Sequence, residues 1–413
     1  MQRKSSALYL FVALSTLCIT ASAQHAGAFK GSLDDPAIAY STRPPENVVV
    51  DVNAMLQDGR VRFGFEERTG FLQSALDALQ IPIDSQLLVF SRGSLQGRRI
   101  GQQNPRAIFF NDRVALGWVR GGDVIEVAAH DVNAGVVFYT LEQRDSAVPP
   151  QFRRRFECLG CHVTGDTLGV PGLLMFSTSR AEPGRFDGVP HHIDQSDPLE
   201  QRFGGWFVTG RMGTARHMGN DIAALDGRST RDLASVEGFF DTDGYRTTSS
   251  DIVAHLVLTH QAGMTNLLTR AAFEARMAEA SLRGQVTQEQ TDAITVLMEG
   301  IAREVVDHML FVDEAKLPAG IHGASGFAER FSKSGPRDRI GRSLFELDLT
   351  RRLMKYPCSY MIYSAAFDAL PSIVKVPIYR RMLNVLAGTG RSDSQTIVEI
   401  LRDTKKDLPS YFF

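Results

Sequence analysis

Two thiols and an imidazole stand together at Cys158-Leu159-Gly160-Cys161-His162. Cysteines at this spacing, followed at once by a histidine, are the pattern for covalent attachment of a c-type haem. The thiols would add to the two vinyl groups of the porphyrin, and His162 would reach the iron from one face. Two other chemistries use the same pair. A tetrahedral zinc site needs two further ligands, and no second C-x-x-C or H-x₃₋₅-H lies nearby. His191 and His192 are adjacent, the wrong spacing for a ligand pair on one helix face. A dithiol redox centre belongs where a strand meets a helix in a βαβ unit, which these flanks do not resemble. One haem c is the cofactor the motif predicts.

The start of the chain fits an oxidising destination. Arg3 and Lys4 precede an apolar run from Ala7 to Ile19, and Ala21-Ser22-Ala23 has the small residues of a cleavage site. The run is short for a permanent span. Leu17 is too large for the position before an acylated cysteine, so Cys18 reads as part of a cleaved leader rather than a lipid anchor. The expectation is a secreted, periplasmic protein beginning near Gln24, with no later transmembrane stretch. Loss of Arg3 and Lys4 leaves 43 Lys plus Arg against 47 Asp plus Glu, a formal net charge of −4. Such weak acidity gives no electrostatic argument for nucleic acid or an anionic membrane. Of four cysteines only Cys158, Cys161 and Cys358 follow the leader. That count suits one haem attachment and a spare thiol, not a disulfide framework.

The elements that must position the motif come in blocks. Beyond the leader (1–23), residues 24–85 read as an N-terminal arm and lead-in, with an extended stretch to about Pro45. Residues 86–148 are β-rich, with runs at Gln86–Phe90, Arg106–Phe110, Val114–Val119, Val124–Ala129 and Val136–Leu141. Turn residues at Asn111-Asp112, Gly121-Gly122-Asp123 and Asn133-Ala134-Gly135 separate them, which predicts an antiparallel meander or small sandwich. Along the last run, Val137, Tyr139 and Leu141 alternate with Phe138, Thr140 and Glu142, so one face should be more polar. Residues 149–246 carry the motif and are Gly-, Pro- and His-rich, with a single strand signal at Phe203–Thr209. Such low regularity suggests that a ligand organises the segment. Residues 247–413 are helical. Ser250 is the expected cap of a helix whose apolar stripe includes Val253, Leu256, Val257, His260, Met264, Leu267 and Leu268. Thr287 and Gln290 form a capping box before the next helix. Further helices are predicted at Ser343–Lys355, Ser359–Ala369, Ile378–Ala387 and, after a capping box at Ser392 and Gln395, Asp393–Asp403. The fold class is α+β.

Phe156-Glu157-Cys158-Leu159-Gly160-Cys161-His162, followed by Gly169-Val170-Pro171-Gly172-Leu173, resembles the attachment region of class I c-type cytochromes. The resemblance covers about Phe156 to Leu173; the wider chain looks like a group of secreted bacterial monohaem proteins. In class I cytochromes a proline downstream of the histidine presents its carbonyl to the proximal ring, and Pro171 is the matching position. The resemblance implies single-electron transfer with a redox partner protein, and a sixth ligand of His or Met. Met212, His217 and Met218 lie in the glycine-rich block from Phe203 to Asn220, where close approach to a flat ring is possible. His260 competes from its helix stripe, although a histidine on an apolar face is more often a satisfied core residue. An open distal position would instead suit a peroxidase-like enzyme using Arg211, Arg216 and His217, or a redox or gas sensor. Arg153-Arg154-Arg155 would suit haem propionates or form a solvated turn, and Trp206 would stack on porphyrin or pack in a core. Asp34-Asp35 and Asp241-x-Asp243-Gly244 read as turns. Cys358 reads as a buried thiol, or else as a reactive one.

Overall fold

The computed structural model describes residues 27–178, 189–221, 232–317, 320–388 and 393–413. The expected leader, and Ser392 of the last expected capping box, lie outside the described residues. The β-rich block forms as the turn spacing dictates. Strands β1 (Leu87–Val89), β2 (Arg106–Phe110), β3 (Val114–Trp118), β4 (Val124–Asp131) and β5 (Gly135–Glu142) make an antiparallel meander. Its register places Phe109 opposite Leu116, and Val127 opposite both Leu116 and Tyr139. The sheet does not end with the meander. β6 (Arg153–Arg154) pairs with β5, while short strands β7 (Phe176–Thr178) and β8 (Pro190–His192) form a separate hairpin. β9 (Trp206–Phe207) then pairs with β1, so the motif-bearing segment supplies both edges of a seven-stranded sheet.

One sheet face packs Phe109, Leu116, Ile125, Val127, Val137 and Tyr139 into a core with the N-terminal residues. Those residues are more than an arm. Helices α1 (Val48–Gln57) and α2 (Leu72–Ala78) close that core. The Asn47 side chain caps α1 by accepting from the Val49 and Val50 N–H groups. The run Val48-Val49-Val50 has poor helix propensity, and burial of Val49, Val52 and Leu56 overrides it. The other face is not the polar one the alternation suggests: Phe138 and Thr140 are also buried, because the later chain folds back over them.

Between β6 and β7 the motif forms a single turn, α3 (Leu159–His162). α4 (Ile252–Leu282) is buried on all sides over its first five turns and runs through the second core. Its cap is Asp251, whose carboxylate accepts from the Val253 N–H at 2.7 Å. Ser250 instead bridges strands, donating to the Phe207 carbonyl and accepting from the Leu88 N–H. α5 (Gln288–Met309) starts at the Thr287 and Gln290 capping box, both halves of which form. α6 (Phe327–Lys333), α7 (Ala365–Asp368), α8 (Ser372–Gly388) and α9 (Ser394–Thr404) complete the helical part.

The helix expected at Ser343–Lys355 is absent. Glu346, Asp348 and Glu314 accept from the backbone N–H groups of Ser343, Thr350 and Leu353, and an isolated bridge joins Leu347 to Met354. Side chains that satisfy the backbone locally compete with the helical ladder. Ser359–Ala369 likewise resolves into a 3₁₀ turn, Tyr360–Tyr363, and the one-turn α7. The fold is α+β, and no described helix is long and apolar enough to cross a membrane.

Candidate functional site

The motif residues converge because they share one turn. The His162 N–H donates to the Cys158 carbonyl at 3.0 Å, and the Cys161 N–H to the same carbonyl at 3.1 Å. Residues i, i+3 and i+4 of such a turn lie on one face. Cys158, Cys161 and His162 therefore present two unpaired thiols and an imidazole to one side, with Cys158 half-buried and Cys161 exposed.

The ring of His162 is held by its own loop. Nδ1 lies 2.9 Å from the Gly172 carbonyl oxygen, which can only accept, so Nδ1 carries the hydrogen. The Gly172 N–H returns a bond to the His162 carbonyl at 3.1 Å. Burial holds the imidazole below its ordinary pKa, with the Gly172 carbonyl opposing. Neutral and protonated at Nδ1, His162 keeps its lone pair on Nε2, the state a metal ligand requires. The carbonyl at the ring is thus Gly172's and not that of Pro171. Pro171 turns its carbonyl to the Val136 N–H of β5 at 3.3 Å, which ties the loop to the sheet.

Gly172 is in turn held by α4. The buried Asn266 side chain accepts from the Leu173 N–H and donates to the Leu173 carbonyl, both at 2.8 Å. A Cβ on Gly172 would stand 2.3 Å from Asn266 Oδ1, so only glycine permits this approach. The Phe138 ring of β5 lies 4.5 Å from the His162 ring, centroid to centroid. Arg106 on β2 and Glu126 on β4 form an ion pair at 2.6 Å, and their opposed charges act on His162.

The alternative chemistries of the cysteines find less support. Burial first, then the charges of Glu157 and Glu126, push the Cys158 thiol up to about 11. A dithiol redox centre works through a thiolate of lowered pKa. Among the described residues no group of three or more His, Cys, Asp and Glu is arranged for a metal ion, so the pair lacks partners for tetrahedral zinc.

The four distal candidates part company. His260 is fully engaged. The Gln195 side-chain N–H donates to the His308 carbonyl, so Gln195 Oε1 accepts from His260 Nδ1 at 2.6 Å. Ser359 then donates to Nε2 at 2.7 Å, and the ring sits between His308 and Phe311. No lone pair remains for iron, and burial holds this imidazole well below its ordinary pKa. Met212 is buried in a two-residue strand pair with Ile321, Arg211 lying opposite His322. Met218 is half-buried, its sulfur accepting from the Ser177 hydroxyl at 3.7 Å. His217 acts electrostatically on His255.

His255 is the histidine the periodicity missed. Although off the apolar stripe it is fully buried, because α4 is surrounded at that level. Its Nδ1 donates to the Asp251 carbonyl at 2.9 Å, and Nε2 has no hydrogen-bond partner between Phe203 and Trp206. Desolvation pulls its pKa down to about 3.

The minor features take structural roles. Arg154 lies over the Tyr40 and Phe156 rings and donates to the Tyr40 carbonyl, while Arg155 pairs with Glu157. Trp206 is a core residue donating to the Phe176 carbonyl. Asp241 and Asp243 pair with Arg120 and Arg68. Cys358 is fully buried, which raises its thiol pKa. Comparison of the chain with known protein families, with curated proteins and with solved structures found no match.

Proposed function

We propose that this chain is a c-type cytochrome with one haem joined to Cys158 and Cys161, and that it passes single electrons to and from a partner protein in the periplasm. The observation that carries the reading is the convergence of two free thiols and a His162 ring fixed in the ligating tautomer. A bound haem would supply a one-electron iron couple. The chain's own residues set its environment. Gly172 orients His162 and raises its basicity, Asn266 holds Gly172 in place, and Phe138 shields the ring. His260 is withdrawn as a distal ligand by its two hydrogen bonds; Met218 and His217 stay as candidates. Arg211 and Arg216 are exposed, which favours electron transfer over a peroxidase-like pocket.

The test is the intact mass of protein exported in cells with haem c maturation. We expect the mature chain plus one haem, and loss of that added mass when Cys158 and Cys161 are both replaced by Ala. Recovery of unmodified chain, beside a control cytochrome that is loaded, would end the proposal. Optical spectra of the reduced protein with and without carbon monoxide then read the distal side. A spectrum altered by Met218→Ala or His217→Ala, and not by His260→Gln, is the expected pattern.

A further inference from the structure

A cavity of about 330 Å³ lies beside the motif loop and apart from Cys158, Cys161 and His162. Its walls come from the loop after His162, the stretch following β8, and the facing sides of α4 and α5. Its volume is at the lower end of the range for small-molecule sites.

The lining is rich in acceptors and poor in cations. Five carboxylates face it against one guanidinium, Arg303. Two of the five are already neutralised, Glu304 by Arg270 at 2.6 Å and Asp307 by Arg381 at 3.1 Å. Asp166, Asp194 and Asp313 have no Lys or Arg ion pair among the described residues. Asp194 accepts the N–H and hydroxyl of Ser196, which fixes its carboxylate. An anion would meet this charge unfavourably, and a cation would be drawn in.

A second feature is built into α4. Gly263, inside a 31-residue helix, lines the cavity, and a Cβ there would stand 2.8 Å from His308 Cε1. Glycine is disfavoured relative to alanine in a helix interior. Here it admits the His308 ring, stacked within 7° of parallel on His260. His308 Nε2 lies 3.4 Å from the His260 carbonyl, so its hydrogen belongs there and Nδ1 is left as an acceptor. Leu168 and Leu267 add an apolar wall.

We propose that this cavity binds a small organic cation, an ammonium group carried on a short alkyl chain, with Asp194 and Asp313 as its charge partners and Leu168 and Leu267 against the alkyl part. A bare metal ion fits less well, since among the described residues no three ligating side chains converge there. The site does not depend on the haem reading.

The test is isothermal titration of the full exported chain at low salt with three probes of similar length: 1,4-diaminobutane, 1,4-butanediol and succinate. The expected result is saturable heat for the diamine alone. Asp194→Asn and Asp313→Asn should each weaken it about tenfold, the loss of one charge-assisted contact. Asp313 is exposed, so its variant tests the site even where Asp194→Asn disturbs folding. No diamine heat up to about 10 mM, equal binding of succinate, or an affinity unchanged in both variants would overturn the proposal.

Discussion

Replacing Asn266 with alanine tests the support behind the candidate haem ligand. Asn266 makes two 2.8 Å hydrogen bonds to the backbone of Leu173, and its side chain is buried. Truncation strands one N–H and one C=O. A buried group left unpaired costs ~1–3 kcal/mol. Leu173 is only half-buried, so water recovers part of this, and the lower end applies to each group. The expected destabilisation is ~2–3 kcal/mol, read as a shift of the urea midpoint at unchanged slope. A second effect follows from the chain of contacts. With Leu173 released, the Gly172 carbonyl no longer holds Nδ1 of His162 firmly, the ring is a poorer donor, and the haem midpoint potential should rise. Asn266→Asp keeps the acceptor for the Leu173 N–H but sets a carboxylate against the Leu173 carbonyl, so it should not rescue. A change below ~0.5 kcal/mol, the range of ordinary surface substitutions, together with an unmoved potential, would refute the positioning role.

Three further outcomes are expected. Gly172→Ala puts a methyl 2.3 Å from Asn266 Oδ1 and should lower both stability and haem yield, whereas Gly160→Ala, where a Cβ meets nothing within 4 Å, should spare both. Stability should fall with acid from pH 6.5: His255, pulled down to about 3, and His260, well below its ordinary value, stay neutral when folded. The unfolded chain takes up the protons they refuse, at ~1.4 kcal/mol per pH unit for each. Glu314 opposes one of them, because burial pushes it up to about 7 and the folded chain already holds its proton as pH falls towards 4.5. The His255→Gln variant should flatten the dependence measured by urea unfolding at pH 6.5 and 5.0; an unaltered slope would count against this assignment. His260→Gln should cost stability without altering the reduced haem spectrum, and a changed spectrum would return His260 to the iron.

The meander was legible because its turns and alternating runs are local signals; all five strands fall within two residues of the expected bounds. The α4 helix and the Thr287 capping box were legible for the same reason. What escaped was settled by distant partners. Val48-Val49-Val50 is helical because the sheet needs a cover, and Phe138 is buried where the motif turn brings His162 against it. At the site, the motif itself is sequence information, but its supports are not. Nothing near Asn266 marks it as the clamp on a segment 93 residues earlier. The shift from Pro171 to Gly172 depends on which carbonyl β5 claims, and no spacing rule encodes that. His255 lay off the helix stripe, and a stripe has no meaning on a helix enclosed on every side.

One contact bears on the order in which the molecule can be assembled. The Phe29 N–H donates to the Leu168 carbonyl at 2.7 Å, its ring packs edge-on to Phe273, and Gly169 leaves no room for a Cβ beside the Phe29 carbonyl. Residues around Phe29 thus close the motif loop from outside, across 139 positions. The meander needs only near neighbours and can form early, whereas this strap pays the closure entropy of about a third of the chain. The strap is therefore a late latch, and until it closes the thiols of Cys158 and Cys161 sit on an unsealed loop. Pulse-labelled hydrogen exchange during refolding should show the Phe29 amide protected after those of β3 and β4. Sealing last would leave covalent chemistry at the cysteines its longest opportunity.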